Sequence, residues 1–108
     1  MSDWIDVADL SEFAPGTRRV VDVDGAQVLV VNIGGQLLAV EDVCTHDGTP
    51  IDEGEIDVAK CEITCPRHGA RFCLRTGQAL CPPAYEPIAT FPLRVVADRL
   101  QVRDPRFD

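Results

Sequence analysis

Two short segments carry the distinctive chemistry of this chain: Cys44-Thr45-His46 and, after eighteen residues, Cys65-Pro66-Arg67-His68. Each offers one thiolate and one imidazole. Such donors suit a zinc ion, which takes four nitrogen or sulfur ligands, or an iron–sulfur cluster with mixed ligation. Zinc sites of short spacing commonly pair like with like, two Cys in one segment and two His in the other. Here each segment holds one of each, with a single residue inside the first pair, and that pattern favours a cluster. Gly48 and Gly69 follow the two segments. Glycine lets backbone N–H groups approach a sulfur without a Cβ in the way, and N–H bonds to sulfur tune a redox centre.

The elements that must position these residues read as short strands between turn signals. Trp4–Ala8 is a candidate first strand, followed by a loop to Gly16 with one helical turn at Ser11-Glu12-Phe13. Arg18–Val23 and Ala26–Ile33 are β-branched runs joined at Asp24-Gly25, a two-residue hairpin signal. Gly34-Gly35 leads in the same way into Gln36–Val43. Thr90–Val96 and Leu100–Arg103 flank a hairpin at Ala97-Asp98-Arg99, and Pro92 marks the first of these as an edge or irregular strand. Glu62–Thr64 and Arg71–Leu74 are short strand candidates around the second segment. Cys81-Pro82-Pro83 cannot continue a ladder and reads as an extended loop. The fold expected is all-β: an antiparallel sandwich or barrel base, residues 1–42 and 83–108, with a loop-rich cluster-binding subdomain over about 43–82. The whole, 1–108, is one domain.

Charge narrows the function classes. The formal net charge is −8, which argues against nucleic acid and against anionic membrane surfaces. No apolar run approaches the roughly 20 residues of a spanning helix. The first residues have neither a basic flank nor an apolar signal core, so a cytoplasmic protein is expected. Five cysteines, an odd number, fit a reducing compartment and metal binding better than a disulfide framework. Residues 41–62 hold eight acids and one base, whereas 63–108 hold seven bases and four acids. The first ligand segment therefore lies in an acidic stretch, while Arg67, Arg71 and Arg75 crowd the second.

The two segments, together with Gly69 and Arg71-Phe72-Cys73-Leu74-Arg75-Thr76-Gly77, Pro82-Pro83 and Phe91-Pro92-Leu93, resemble the Rieske-type ferredoxins. The chain especially resembles the small carriers of bacterial aromatic-ring-hydroxylating dioxygenase systems, from about Val20 to Val102. The resemblance implies one [2Fe-2S] cluster, with Cys44 and Cys65 on the buried iron and His46 and His68 on the outer one. It implies a Rieske (ISP-like) fold with the Pro82-Pro83 loop covering one side of the cluster. It implies a monomeric one-electron carrier, not an enzyme by itself, between an NAD(P)H-dependent flavoprotein ferredoxin reductase and a terminal oxygenase. The rival readings are a small Rieske subunit of an assimilatory nitrite reductase-like complex and a zinc-binding structural module.

Two departures from the high-potential members of the resemblance bear on redox behaviour. Those proteins bridge their ligand loops with an extra disulfide, where this chain has Thr49 or its neighbours and Arg67. They place hydroxyls after the second His, where this chain has Ala70 and Phe72. Fewer hydrogen bonds to sulfur stabilise the reduced form less, so a low potential is expected, in the lower part of the roughly −150 to +300 mV range. The eighteen-residue gap is slightly long for the family, and the extra length is expected in Asp52–Asp57. Of the other cysteines, Cys61 is expected as a buried strand thiol, Cys73 as core and Cys81 as exposed. Trp4 is expected in the core. Arg67 is expected to pair with Asp47 or to meet a partner.

Overall fold

The computed structural model describes residues 3–107. Among the described residues, nine strands form three antiparallel three-stranded sheets. They are β1 (Ile5–Asp9), β2 (Arg18–Val23), β3 (Ala26–Ile33), β4 (Gln36–Glu41), β5 (Glu55–Asp57), β6 (Glu62–Thr64), β7 (Arg71–Cys73), β8 (Leu93–Val96) and β9 (Arg99–Val102). The sheet orders are β1-β9-β8, β2-β3-β4 and β5-β6-β7. Short 3-10 turns at Leu10–Glu12 and Pro105–Phe107 complete the described elements.

The middle sheet is the one both cores share. Side chains of a strand alternate between its faces, and β3 is apolar on both. Val28 and Val30 enter one core with Val7, Phe13, Phe91 and Leu100. Leu29, Val31 and Ile33 enter the other with Ile63, Phe72 and Leu74. A continuous Val/Leu/Ile run is what a strand buried on both faces requires. Each such side chain contributes about 1.5–3 kcal/mol by leaving water. The second of these cores also contains Cys44 and Cys65, so the candidate ligand thiols sit on the same apolar floor as the middle sheet.

Local turn chemistry sets the registers. Asp24-Gly25 and Gly34-Gly35 all lie at positive φ, the two-residue geometry that matches strand twist. The pairs Val23↔Ala26 and Ile33↔Gln36 close directly on these turns. The β8–β9 turn is shorter than the sequence predicts. Ala97 and Asp98 alone hold positive φ, and Arg99 is already paired with Val96. β8 begins at Leu93, after Pro92, and is an edge strand. Its edge position leaves Val95 and Val96 half exposed.

One strand lies outside the sequence expectation, and one residue is corrected. Within Asp52–Asp57, Glu55–Asp57 forms β5 and pairs with β6 in the register Ile56↔Ile63. Acidic residues are poor strand formers, and here the ladder with β6 decides. Trp4 is only half buried. Arg94 lies 4.3 Å and Arg103 5.8 Å from its ring centre, so its face is covered by cations.

The C-terminal turn is locked onto the middle sheet. The fully buried Asp104 carboxylate accepts from Arg106 Nε and Nη2 at 2.9 and 2.8 Å. Arg106 also reaches Glu41 at 3.7 Å and lies over the Phe91 ring. The Arg106 hydrogen bonds hold the Asp104 carboxyl below its ordinary pKa, against the effect of burial. A depressed carboxylate contributes stability above its unfolded pKa and loses it as pH falls through the folded value. Asp104→Asn is therefore expected to cost about 1–3 kcal/mol in urea denaturation at neutral pH. The difference from the parent should shrink in acid, below the ordinary carboxylate range.

Candidate metal centre

Two loops built on one backbone plan present the four expected ligands. In the first, the Cys44 N–H donates to Thr49 O at 2.7 Å and the Gly48 N–H to Cys44 O at 2.7 Å. In the second, the Cys65 N–H donates to Ala70 O at 2.7 Å and the Gly69 N–H to Cys65 O at 3.1 Å. Gly48 and Gly69 close the loops at φ of 78° and 76°, a region that other residues enter only at a cost. The plan explains the unequal spacing. Both loops are the same length, and the imidazole stands at the second position after Cys44 and at the third after Cys65.

The donors sort by depth. Cys44 and Cys65 are buried, and the Cys65 thiol lies near enough to act on that of Cys44. Burial pushes the Cys44 thiol above its ordinary pKa, while backbone N–H groups of His46 and Asp47 pull the other way. His46 and His68 are exposed. Their rings stand edge to face, 5.1 Å between centres. Among the described residues, no three His, Cys, Asp or Glu side chains converge on one ion. Four donors split into a buried sulfur pair and a surface imidazole pair suit two metal atoms better than one.

Surrounding contacts fix the loops. Asp42 Oδ1 accepts from the N–H groups of Ile51 and Asp52, both at 2.8 Å, and so ties the return of the first loop to its start. Burial pushes the Asp42 carboxyl above its ordinary pKa. Arg18 donates to the carbonyls of Asp52 and Gly54 at 2.8 and 2.7 Å, joining β2 to the acidic turn. The Thr45 hydroxyl donates to Glu86 O at 2.6 Å. That bond holds the segment after Pro82-Pro83 beside the first loop. Tyr85, on the same segment, is 79% exposed.

The expected pairing of Arg67 with Asp47 is not found. Asp47 Oδ2 instead lies 3.1 Å from His68 Nδ1, and its Oδ1 accepts the Thr49 N–H at 3.0 Å. Glu62 and Arg71 meet at 3.4 Å across β6 and β7, so the acidic and basic stretches interlock there. Cys61 is buried but lies in the turn before β6, at φ 57°. Cys81 is half buried, and its thiol is held below its ordinary pKa by the Arg71 side chain.

Sequence reasoning missed a third loop of the same plan. The Cys73 N–H donates to Gln78 O at 2.9 Å, the Gly77 N–H to Cys73 O at 2.7 Å, and Gly77 has φ 78°. Burial raises the Cys73 thiol pKa, but bonds from Thr76 and the Arg75 N–H bring it below its ordinary value. The signal was present as Cys-x-x-x-Gly, repeated at 44, 65 and 73. The third copy contains no His, and Cys73 sits opposite Glu62.

A three-sheet antiparallel scaffold with two thiol–imidazole loops at one end defines an iron–sulfur electron-transfer domain. Residues 3–92 match the family described as the Rieske [2Fe-2S] domain. The chain belongs to that family, and its cofactor is a single [2Fe-2S] cluster; the zinc alternative falls. The chain is 39% identical over 90 residues to the 3-phenylpropionate/cinnamic acid dioxygenase ferredoxin subunit of Escherichia coli (strain K12), covering 82% of this chain and 79% of the relative. It superposes with a TM-score of 0.87 on the ferredoxin of carbazole 1,9a-dioxygenase from Nocardioides aromaticivorans IC177, at 32% identity over 94% of this chain and 98% of that one. A ferredoxin solved in complex with the oxygenase of a carbazole 1,9a-dioxygenase gives 0.84, at 35% identity over 93% and 92% of the two chains. The relatives are electron-carrying components, and this chain is likewise a carrier, not an enzyme alone. Among the described residues no helix is long and apolar enough to cross a membrane.

Proposed function

We propose that this chain carries single electrons from an NAD(P)H-dependent flavoprotein reductase to a terminal aromatic-ring-hydroxylating oxygenase. It does so as a cytoplasmic monomer. The observation that carries the reading is the sorted donor set, a buried thiol pair beneath two surface imidazoles. Cys44 and Cys65 would hold the inner iron, and His46 and His68 the outer one. The cluster, when bound, supplies a one-electron redox couple. The imidazole edges give the electron its exit, because they are the exposed part of the site. The loops exclude water from the sulfurs, the Thr45–Glu86 bond keeps the Pro82-Pro83 segment alongside, and residues 43–82 act as the cluster-binding subdomain on the remaining base. The exposed acids Glu53, Glu55 and Asp57 suit a reductase with a basic patch, since complementary charge speeds encounter.

Reconstitution tests this reading. NAD(P)H-driven hydroxylation by a reductase and an oxygenase should require this chain. A protein found in native extract only within a large complex, and not near 11.8 kDa, would favour the nitrite reductase-like subunit instead.

Ala70 and Phe72 are both buried and bring no hydroxyl to the loop, which supports a low potential. Redox titration is expected to give a value below zero, in the lower part of the roughly −150 to +300 mV range. The double change Ala70→Ser and Phe72→Tyr should move it toward the middle of that range. A parent value well above zero would contradict the low-potential assignment.

A further inference from the structure

Three arginines crowd the second ligand loop and the strand after it, and they are not equivalent. Arg71 is engaged by Glu62 at 3.4 Å. Arg75 Nε donates to Gln36 Oε1 at 3.1 Å. Arg67 is exposed, and among the described residues it has no ion pair or side-chain hydrogen bond. Its natural partner, Asp47, is taken up by His68 and by the Thr49 N–H. The backbone that carries it is fixed: Arg67 lies between Pro66 and His68, in a loop closed by the Cys65–Ala70 and Gly69–Cys65 backbone bonds.

The electrostatic setting makes this position informative. The chain carries −8 overall, so a partner that approaches with complementary charge presents a mainly basic face. At the electron exit such a face meets Arg67 as a like charge. The mismatch is costly unless the partner places a carboxylate opposite, where it gives a charge-assisted and often bidentate bond. Tyr85 stands exposed on the segment that Thr45 holds to the first loop. Arg and Tyr are both side chains enriched among interface anchors.

We propose that Arg67 is the specificity-determining residue for the terminal oxygenase, reading one carboxylate set within an otherwise basic docking face. This assignment rests on the oxygenase partnership proposed above. The acidic flank of Glu53, Glu55 and Asp57 has Lys60 as its nearby base in sequence, and Arg18 is held there by the Asp52 and Gly54 carbonyls. Its acids suit a basic patch, and it is left to the reductase.

Calorimetric titration of the cluster-loaded protein with the oxygenase of carbazole 1,9a-dioxygenase, at low ionic strength, tests this. Arg67→Glu is expected to weaken binding by about tenfold, and Arg67→Lys by less. Arg99→Glu makes the same change in net charge on the β1-β9-β8 sheet and should stay within about twofold. Binding of a flavoprotein ferredoxin reductase should be unchanged by Arg67→Glu. The proposal is overturned if Arg67→Glu weakens oxygenase binding by less than about fivefold, absence of binding by either protein included. It is overturned equally if Arg99→Glu matches the Arg67→Glu loss, or if the loss appears on the reductase instead. The visible and reduced EPR spectra of each protein separate the two levels: a parent without a Rieske spectrum refutes the site, whereas a normal spectrum with unaltered binding refutes only the role of Arg67.

Discussion

A Cys65→Ser chain is expected to purify colourless, with iron and acid-labile sulfide close to zero, and to unfold far more readily than the parent. Cys65 is buried at the start of its loop and neighbours the Cys44 thiol. A serine hydroxyl is a poor ligand for iron compared with a thiolate, and its loss leaves three donors. The proposed cluster joins two loops separated by eighteen residues, so its binding free energy is also folding free energy. Cys73→Ser provides the contrast. Cys73 begins a loop of the same backbone plan, closed by Gly77 in the same way, but no His stands in it. That variant should keep the full colour and iron content. Equal loss of iron in both would mean that the loop plan, not the sorted donor set, defines the site.

Gly77→Ala is expected to destabilise the fold by about 3 kcal/mol or more. Gly77 holds φ 78°, where an alanine is strained. A Cβ placed there would also lie 2.0 Å from the Ile88 carbonyl oxygen. That obstacle is backbone and cannot rotate away, because the Ile88 N–H donates to Gly77 O at 2.8 Å. Relief requires the 84–90 segment to shift, and with it Ala84 and Ile88, which pack in the same core as Cys44 and Cys65. Denaturant unfolding of the loaded protein measures the cost. Gly48→Ala meets the same φ strain but nothing within 4 Å, so it should cost only about 1–2 kcal/mol.

What was legible in the sequence follows from how local each signal is. Asp24-Gly25 and Gly34-Gly35 specify their hairpins because two residues at positive φ are enough to set the register. The four candidate ligand residues stood out because their types and spacing are chemically unusual. β5 was not, because Glu55-Ile56-Asp57 has no strand propensity of its own and exists through its ladder with β6. Trp4 misled because bulk suggests a core position, whereas Arg94 and Arg103 cover its ring at the sheet surface. For Arg67 the sequence offered a pairing with Asp47 across the site or a contact with a partner. The structure gives Asp47 to His68, since the loop geometry, invisible in one dimension, decides which side chain it faces. The third Cys–Gly loop was likewise hidden until its backbone bonds could be seen.

The central claim is that this chain holds one [2Fe-2S] cluster through two thiolates and two imidazoles. The chain contains only two histidines, so labelling histidine with nitrogen-15 marks His46 and His68 and no other ligand candidate. Electron–nuclear double resonance on the dithionite-reduced, labelled protein should show two distinct nitrogen couplings to the paramagnetic cluster. Both should remain in Cys73→Ser, and one should disappear in His46→Cys. A reduced cluster with no coupling to labelled nitrogen would contradict the account, as would a colourless protein that contains zinc and gives no signal.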